Sequence, residues 1–207
     1  MPAEMDIIRE SGLEKAGTEL IFVRTGIGKA NAARSATELI LGQKPDCIIG
    51  SGCAGSLGRG IEFMDTAVAE RTAYHDVWCG EPNLPGQVQE YPLFFESDAA
   101  LLKVAHSAAH RSGLPVHFGL AASGDQFYIS AQEDERILKV LPGAISADME
   151  SGAIAQTCHH YSVPYIGIRA ISDTHGSDSE QSETYSDFWS AVRQKGFTFL
   201  REFISEL

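Results

Sequence analysis

The chain has 207 residues and 43% hydrophobic composition, enough to bury one substantial core, so a single domain spanning 1–207 is expected. Its 28 acidic residues against 16 basic ones give a formal charge of -12, which repels phosphate backbones and anionic membrane faces and argues against nucleic-acid binding. No apolar run approaches the roughly 20 residues that span a bilayer, and the N-terminus lacks the basic-then-apolar pattern of a signal peptide, so a cytoplasmic protein is expected.

Leu20 to Val23 form a short apolar run followed by Gly26-Ile27-Gly28 and an Ala-rich segment from Lys29 to Leu41, which reads as strand, tight turn and helix. Lys44-Pro45-Asp46 then punctuates the chain before Cys47-Ile48-Ile49, a buried-strand candidate that runs into the glycine-rich stretch Gly50 to Ser56, expected as a backbone-lined loop. Thr66 to Ala69 reads as a strand, and Tyr74 to Glu96 as a long loop rich in Pro, Gly and aromatics. Asp98 is a candidate N-cap for a helix reaching His110, closed by Gly113 and Pro115 before a strand from Val116 to Ala122. Helix is expected over Ala131–Val140, strand over Ala144–Ala147, helix from Glu150 to Tyr161, and strand from Tyr165 to Ala170. Ser172 to Ser182 reads as a polar loop, and Phe188, Val192, Phe199, Phe203, Ile204 and Leu207 mark one face of a last helix. Alternating strands and helices of these lengths predict an α/β fold, with a central mixed sheet flanked by helices and the chemistry at strand ends.

Three polar clusters follow predicted strands: Ser123-Gly124-Asp125-Gln126-Phe127, Ala147-Asp148-Met149-Glu150 and Arg169-Ala170-Ile171-Ser172-Asp173. Each also has a plain structural role, because Asp and Ser after a strand cap helices. Cys47, Cys53, Cys79 and Cys158 form no Cys-x-x-Cys pair and read as reduced thiols. His106 and His110 lie four apart on a predicted helix, a spacing that metal sites use, but no third ligand is evident and surface histidines are the simpler reading, so no metal is expected. Gly26-x-Gly28 alone is weak, since Asn31 breaks the dinucleotide fingerprint.

Taken together, Thr25-Gly26-Ile27-Gly28-Lys29, Gly52-Cys53-Ala54-Gly55, Tyr74-His75-Asp76, Ser123 to Phe127, Met149-Glu150 with Ala153-Ile154-Ala155, and Val163-Pro164 leading into Arg169 to Asp173 resemble a family. It is that of the 5'-methylthioadenosine/S-adenosylhomocysteine nucleosidases, within the purine nucleoside phosphorylase superfamily. The resemblance covers most of the chain and implies a nucleoside phosphorylase-like fold, hydrolysis of an adenine nucleoside, no cofactor, and a homodimer.

Departure of a purine leaves electrons on the base and positive charge on the sugar, so the reaction needs an acid beneath the leaving group. The resemblance implies that Asp173 protonates N7 of adenine, with Ser172 holding the loop and Arg169 orienting it. Glu150 matches the acid that accepts the ribose hydroxyls, Met149 the residue packed on the sugar, and Phe127 the aromatic stacked on the purine, with the backbone of Tyr128 reading the base edge. Glu4 matches the acid that activates the attacking water. Trp78 in the long loop and Tyr185 near the last helix are candidates for an apolar wall against the 5' group.

Two departures stand out. The family has a strand ahead of the Glu4 segment and here nothing precedes Met1, so the first strand is expected to be missing and the sheet reduced. Cys53 occupies a position where the nucleosidases have Ser, which removes a strong hydroxyl donor. Phosphorylases of the superfamily carry an arginine where this chain has Gly50, and loss of that charge favours water over phosphate as the nucleophile. A purine nucleoside phosphorylase, and a catalytically impaired nucleoside-binding protein, are the alternatives.

Overall fold

The computed structural model describes Leu13 and residues 18–127, 130–174 and 198–207, apart from the side chains of 173 and 174. The described residues form a single α/β domain in which six strands and five helices alternate: α1 (Lys29–Gln43), β1 (Ile48–Ser56), β2 (Thr66–Tyr74), β3 (Phe95–Glu96), α2 (Ala99–Ser112), β4 (Val116–Ser123), α3 (Ala131–Val140), β5 (Ala144–Asp148), α4 (Ser151–Tyr161), β6 (Tyr165–Thr174) and α5 (Thr198–Glu206). No helix among them is long and apolar enough to cross a membrane.

Local signals account for several of these elements. Asp98 caps α2, its Oδ1 accepting the N–H groups of Ala100 and Leu101 at 2.9 and 3.0 Å, and Gly113 closes the helix. Helix α3 starts after Ser130 and carries Glu133 and Asp134 in its first turn, where carboxylates oppose the positive end of the helix dipole.

The sheet order is β3-β2-β4-β5-β1-β6, and β6 also pairs with β2, so five strands close into a circuit. β2, β4 and β5 run parallel to one another, while β1 and β6 run together in the opposite sense. The mixed sheet expected from the sequence is therefore present. One seam of the circuit is short, since β1 pairs with β5 only at Gly55 and Ser56. Along Ile48–Gly52 the flank of β1 away from β6 has no ladder partner among the described residues, and a cavity of about 690 Å³ lies beside it.

Two expectations are corrected. Leu20–Val23 is not a strand: side-chain burial alternates along it, with Leu20 and Phe22 packed on the core and Ile21 and Val23 44% and 41% exposed, but no ladder holds it. Its pattern suits a sheet, but no strand among the described residues pairs with it. Gly50–Ser56 is not a loop but most of β1, because β6 pairs with it residue by residue from Ile48 to Ser56. Close packing demands small residues here; a Cβ on Gly50 would stand 2.6 Å from the Tyr165 hydroxyl.

Helix α5 covers one side of the sheet, burying Phe199, Leu200, Phe203 and Ile204 against α2 and against Val68, Ile166 and Ile168. Phe188 and Val192 lie outside the described residues. Phe203 is fully buried, so Phe203→Ala is expected to cost about 3–5 kcal/mol, read as a lower midpoint in urea unfolding. A shift of less than 1 kcal/mol would show that α5 does not belong to the cooperative core.

Candidate active site

Arg169, 5% exposed in β6, is the hub beneath the site. Its Nε donates to Asp148 Oδ2 at 2.8 Å, one terminal nitrogen donates to the carbonyl of Gly50, and the other to Ser151 Oγ at 2.7 Å. The Ser151 hydroxyl in turn donates to Asp148 Oδ2, and Asp148 Oδ1 accepts the N–H groups of Ser151 at 3.0 Å and Glu150 at 3.3 Å. Burial opposes the arginine's charge, but the neighbouring carboxylate of Asp148, with Tyr165 and Glu150, holds the guanidinium more firmly protonated than usual. One side chain thus ties β6, β1, β5 and the start of α4 together.

Strand register then places the acids. Gly55 of β1 pairs with Ala147 of β5 on one side and with Asp173 of β6 on the other. Two strand spacings put the Asp173 and Ala147 backbones about 9–10 Å apart, and Glu150 follows three residues after Ala147. A register shift after Ala54 makes Ser172 the extra residue on β6, and its Oγ donates to the Ala54 carbonyl at 3.4 Å. Such a bulge re-aims the end of a strand, here where Asp173 stands.

Met149, Glu150, Phe127, Ser172, Cys53 and Arg169 all line the 690 Å³ cavity. Phe127 is 65% exposed where it lines the cavity. Burial pushes the Glu150 carboxyl above the usual carboxylate range, and the Gly28 N–H bonded to it works in the opposite direction. Cys53 sits on β1 opposite Ala170. Glu4, Tyr128 and Tyr185 lie outside the described residues, as does the Asp173 side chain. Trp78 is not part of the cavity lining; it stands on the surface, 67% exposed. His106 stacks on Phe118 with ring centroids 3.8 Å apart, a packing role for one of the two histidines of the metal reading.

Sequence reading left one feature of this site unassigned. The N-terminus of α1 is gripped by carboxylates: Gly28 N–H donates to Glu150 Oε1 at 2.8 Å, and Lys29 N–H donates to Asp125 Oδ1 at 2.7 Å. Lys29 Nζ reaches both oxygens of Asp76 at 2.9 and 3.0 Å, and Asp76 Oδ2 also accepts the Asp125 N–H at 2.8 Å. A glycine turn opening a helix is an anion-binding signal, and here the anions are the chain's own acids. His75 beside them is shifted below the usual histidine range by burial.

A family model described as the phosphorylase superfamily matches residues 11–205, and the chain belongs to that superfamily. A 5'-methylthioadenosine/S-adenosylhomocysteine nucleosidase from Staphylococcus aureus is 36% identical over 165 residues, which are 79% of this chain and 72% of the relative. Within the superfamily, the chain belongs to the 5'-methylthioadenosine/S-adenosylhomocysteine nucleosidases. The Neisseria meningitidis nucleosidase of that name, solved with methylthio-immucillin-A, superposes with a TM-score of 0.87 at 31% identity, covering 100% of this chain and 96% of the other. The futalosine hydrolase of Helicobacter pylori superposes with a TM-score of 0.86 at 26% identity, covering 100% and 95%.

The buried pair makes a testable demand. Arg169→Met leaves Asp148 charged and uncompensated and is expected to destabilise the fold by about 3–5 kcal/mol in urea unfolding. Arg169→Met combined with Asp148→Leu should recover much of that loss; no recovery would contradict the pairing. Glu150 makes a second. A raised folded-state value means that the stability its protonated form contributes is fully present below the unfolded value and is lost as the pH rises through the folded one. Glu150→Gln escapes that loss, so it should melt higher than the wild type at pH 7. The gap should narrow as the pH falls toward about 4.3; a gap that widens on acidification would contradict the burial of this carboxylate.

Proposed function

We propose that the chain hydrolyses the N-glycosidic bond of adenine nucleosides, 5'-methylthioadenosine and S-adenosylhomocysteine foremost, releasing adenine. The observation that carries the assignment of roles is the register at Gly55, which sets Asp173 and the segment leading to Glu150 on either side of one cavity-lining strand. The purine stacks on Phe127, with the Tyr128 backbone at its edge. Asp173 delivers a proton to N7 as the glycosidic bond breaks, and the electrons of that bond remain on the protonated base. Glu150 accepts the ribose hydroxyls, and its negative charge favours the oxocarbenium-like sugar, against which Met149 packs. Glu4 takes a proton from the attacking water, so that hydroxide closes on the anomeric carbon.

Arg169 acts through Asp148 and β6 as a positioning residue, and Ser172 fixes the bulge that presents Asp173. Cys53 replaces a stronger hydroxyl donor and leaves the glycine-rich backbone of β1 beside the sugar, while Tyr185 contributes to the wall around the 5' group. Water rather than phosphate as nucleophile has a steric basis as well. An arginine cannot replace Gly50 without displacing the Tyr165 hydroxyl, and the Gly50 carbonyl is already committed to Arg169. The enzyme works in the cytoplasm as a homodimer, a reading supported by its family and by exposed apolar side chains such as Ile27 and Leu84.

Incubation of the purified protein with 5'-methylthioadenosine, S-adenosylhomocysteine, 5'-deoxyadenosine and futalosine, with and without phosphate, tests the reading by chromatography of the released base. Adenine release independent of phosphate is expected; strict dependence on phosphate would make the chain a phosphorylase, and no release from any nucleoside would make it a binding protein. Asp173→Asn should lower kcat by at least about 100-fold while ligand affinity changes far less. Unchanged turnover would remove the acid role.

A further inference from the structure

The Glu150 carboxylate is useful to a sugar only if it is held still with one oxygen left over, and the structure shows what holds it. Oε1 accepts the Gly28 N–H, while Oε2 accepts no bond among the described residues. Gly28 sits in the left-handed region at φ 86°, in a turn that has no side-chain cap of its own. What fixes that turn is the next residue. The Lys29 N–H is bonded to Asp125 and the Lys29 ammonium to Asp76, while Asp76 also receives the Asp125 N–H. Packing leaves the turn little slack, since a Cβ on Gly28 would lie 2.9 Å from Asp125 Oδ1.

Asp76 therefore joins three segments, those after β2 and β4 and the first residue of α1, within hydrogen-bonding distance of one carboxylate. We infer that Asp76 is a positioning residue for sugar recognition: through Lys29 and Asp125 it fixes the Gly28 N–H, which in turn fixes the oxygen of Glu150 opposite the one offered to the ribose. The Lys29–Asp76 pair is partly exposed, at 26% and 18%, and a pair of that kind adds little to global stability. Its effect is local, on a carboxylate three contacts away.

The inference rests on the assignment of Glu150 to the sugar hydroxyls, and the test separates the two. The measured quantity is the ratio of kcat/KM for adenosine over 2'-deoxyadenosine, which cancels losses common to both substrates. It is compared among the wild type, Glu150→Gln, Asp76→Ala, Lys29→Met, and Arg34→Met, whose partner Glu38 lies farther along α1. Asp76→Ala and Lys29→Met are each expected to lower the ratio by roughly tenfold, mainly by raising KM for adenosine, with Arg34→Met unchanged.

A collapse of the ratio in Glu150→Gln, with Asp76→Ala and Lys29→Met like the wild type, would overturn the positioning role alone. Equal losses on both substrates in the Asp76 and Lys29 variants would overturn it too, by making their role merely structural. An unchanged ratio in Glu150→Gln would overturn the sugar assignment and this inference with it.

Discussion

A single buried cation organises the functional end of this molecule. Arg169 can remain charged in the interior because Asp148 pairs with it and because Gly50, Ile168 and Ser151 accept three more of its protons. Those partners belong to β5, β1, β6 itself and the first residue of α4, so satisfying one guanidinium fixes four elements relative to one another. The residues proposed for chemistry sit a few positions beyond these anchors: Glu150 two after Asp148, and Asp173 four after Arg169. The backbone of Glu150 takes its place from the pair beneath it, and the Gly28 N–H then holds its carboxylate.

Glu150 is partly withdrawn from water, which disfavours its charge, and an α1 N–H is aimed at it, which favours that charge again. The compromise leaves a carboxylate held in place yet able to bond a polyol. Across β1, the bulge at Ser172 turns the end of β6 where Asp173 stands. Between them Gly52 to Gly55 carry only small side chains along the cavity.

Much of this was legible in the sequence, for reasons that differ from element to element. Helix α2 announced itself through Asp98 and Gly113, signals that act within a few residues and need no tertiary context. Helix α3 spans Ala131–Val140, as expected from the sequence. Non-local pairing decided the two segments that were misread. Gly50–Ser56 has the composition of a loop but is a strand because β6 supplies a ladder, and Leu20–Val23 has the alternation of a strand but pairs with no strand among the described residues. The acids Glu150 and Asp173 were reachable through family motifs. The clasp of Asp76, Lys29 and Asp125 was not, although every member lies inside a motif, because its bonds span 47, 49 and 96 residues and only the fold closes them.

The geometry across Gly55 is tested most directly by a crystal structure of the protein with a non-hydrolysable adenine nucleoside analogue. Glu150 should hold the ribose hydroxyls through Oε2 while Gly28 keeps Oε1, with Asp173 in hydrogen-bonding reach of the purine at the N7 position. A ligand seated elsewhere in the cavity, or one that touches only one of the two carboxylates, would contradict it.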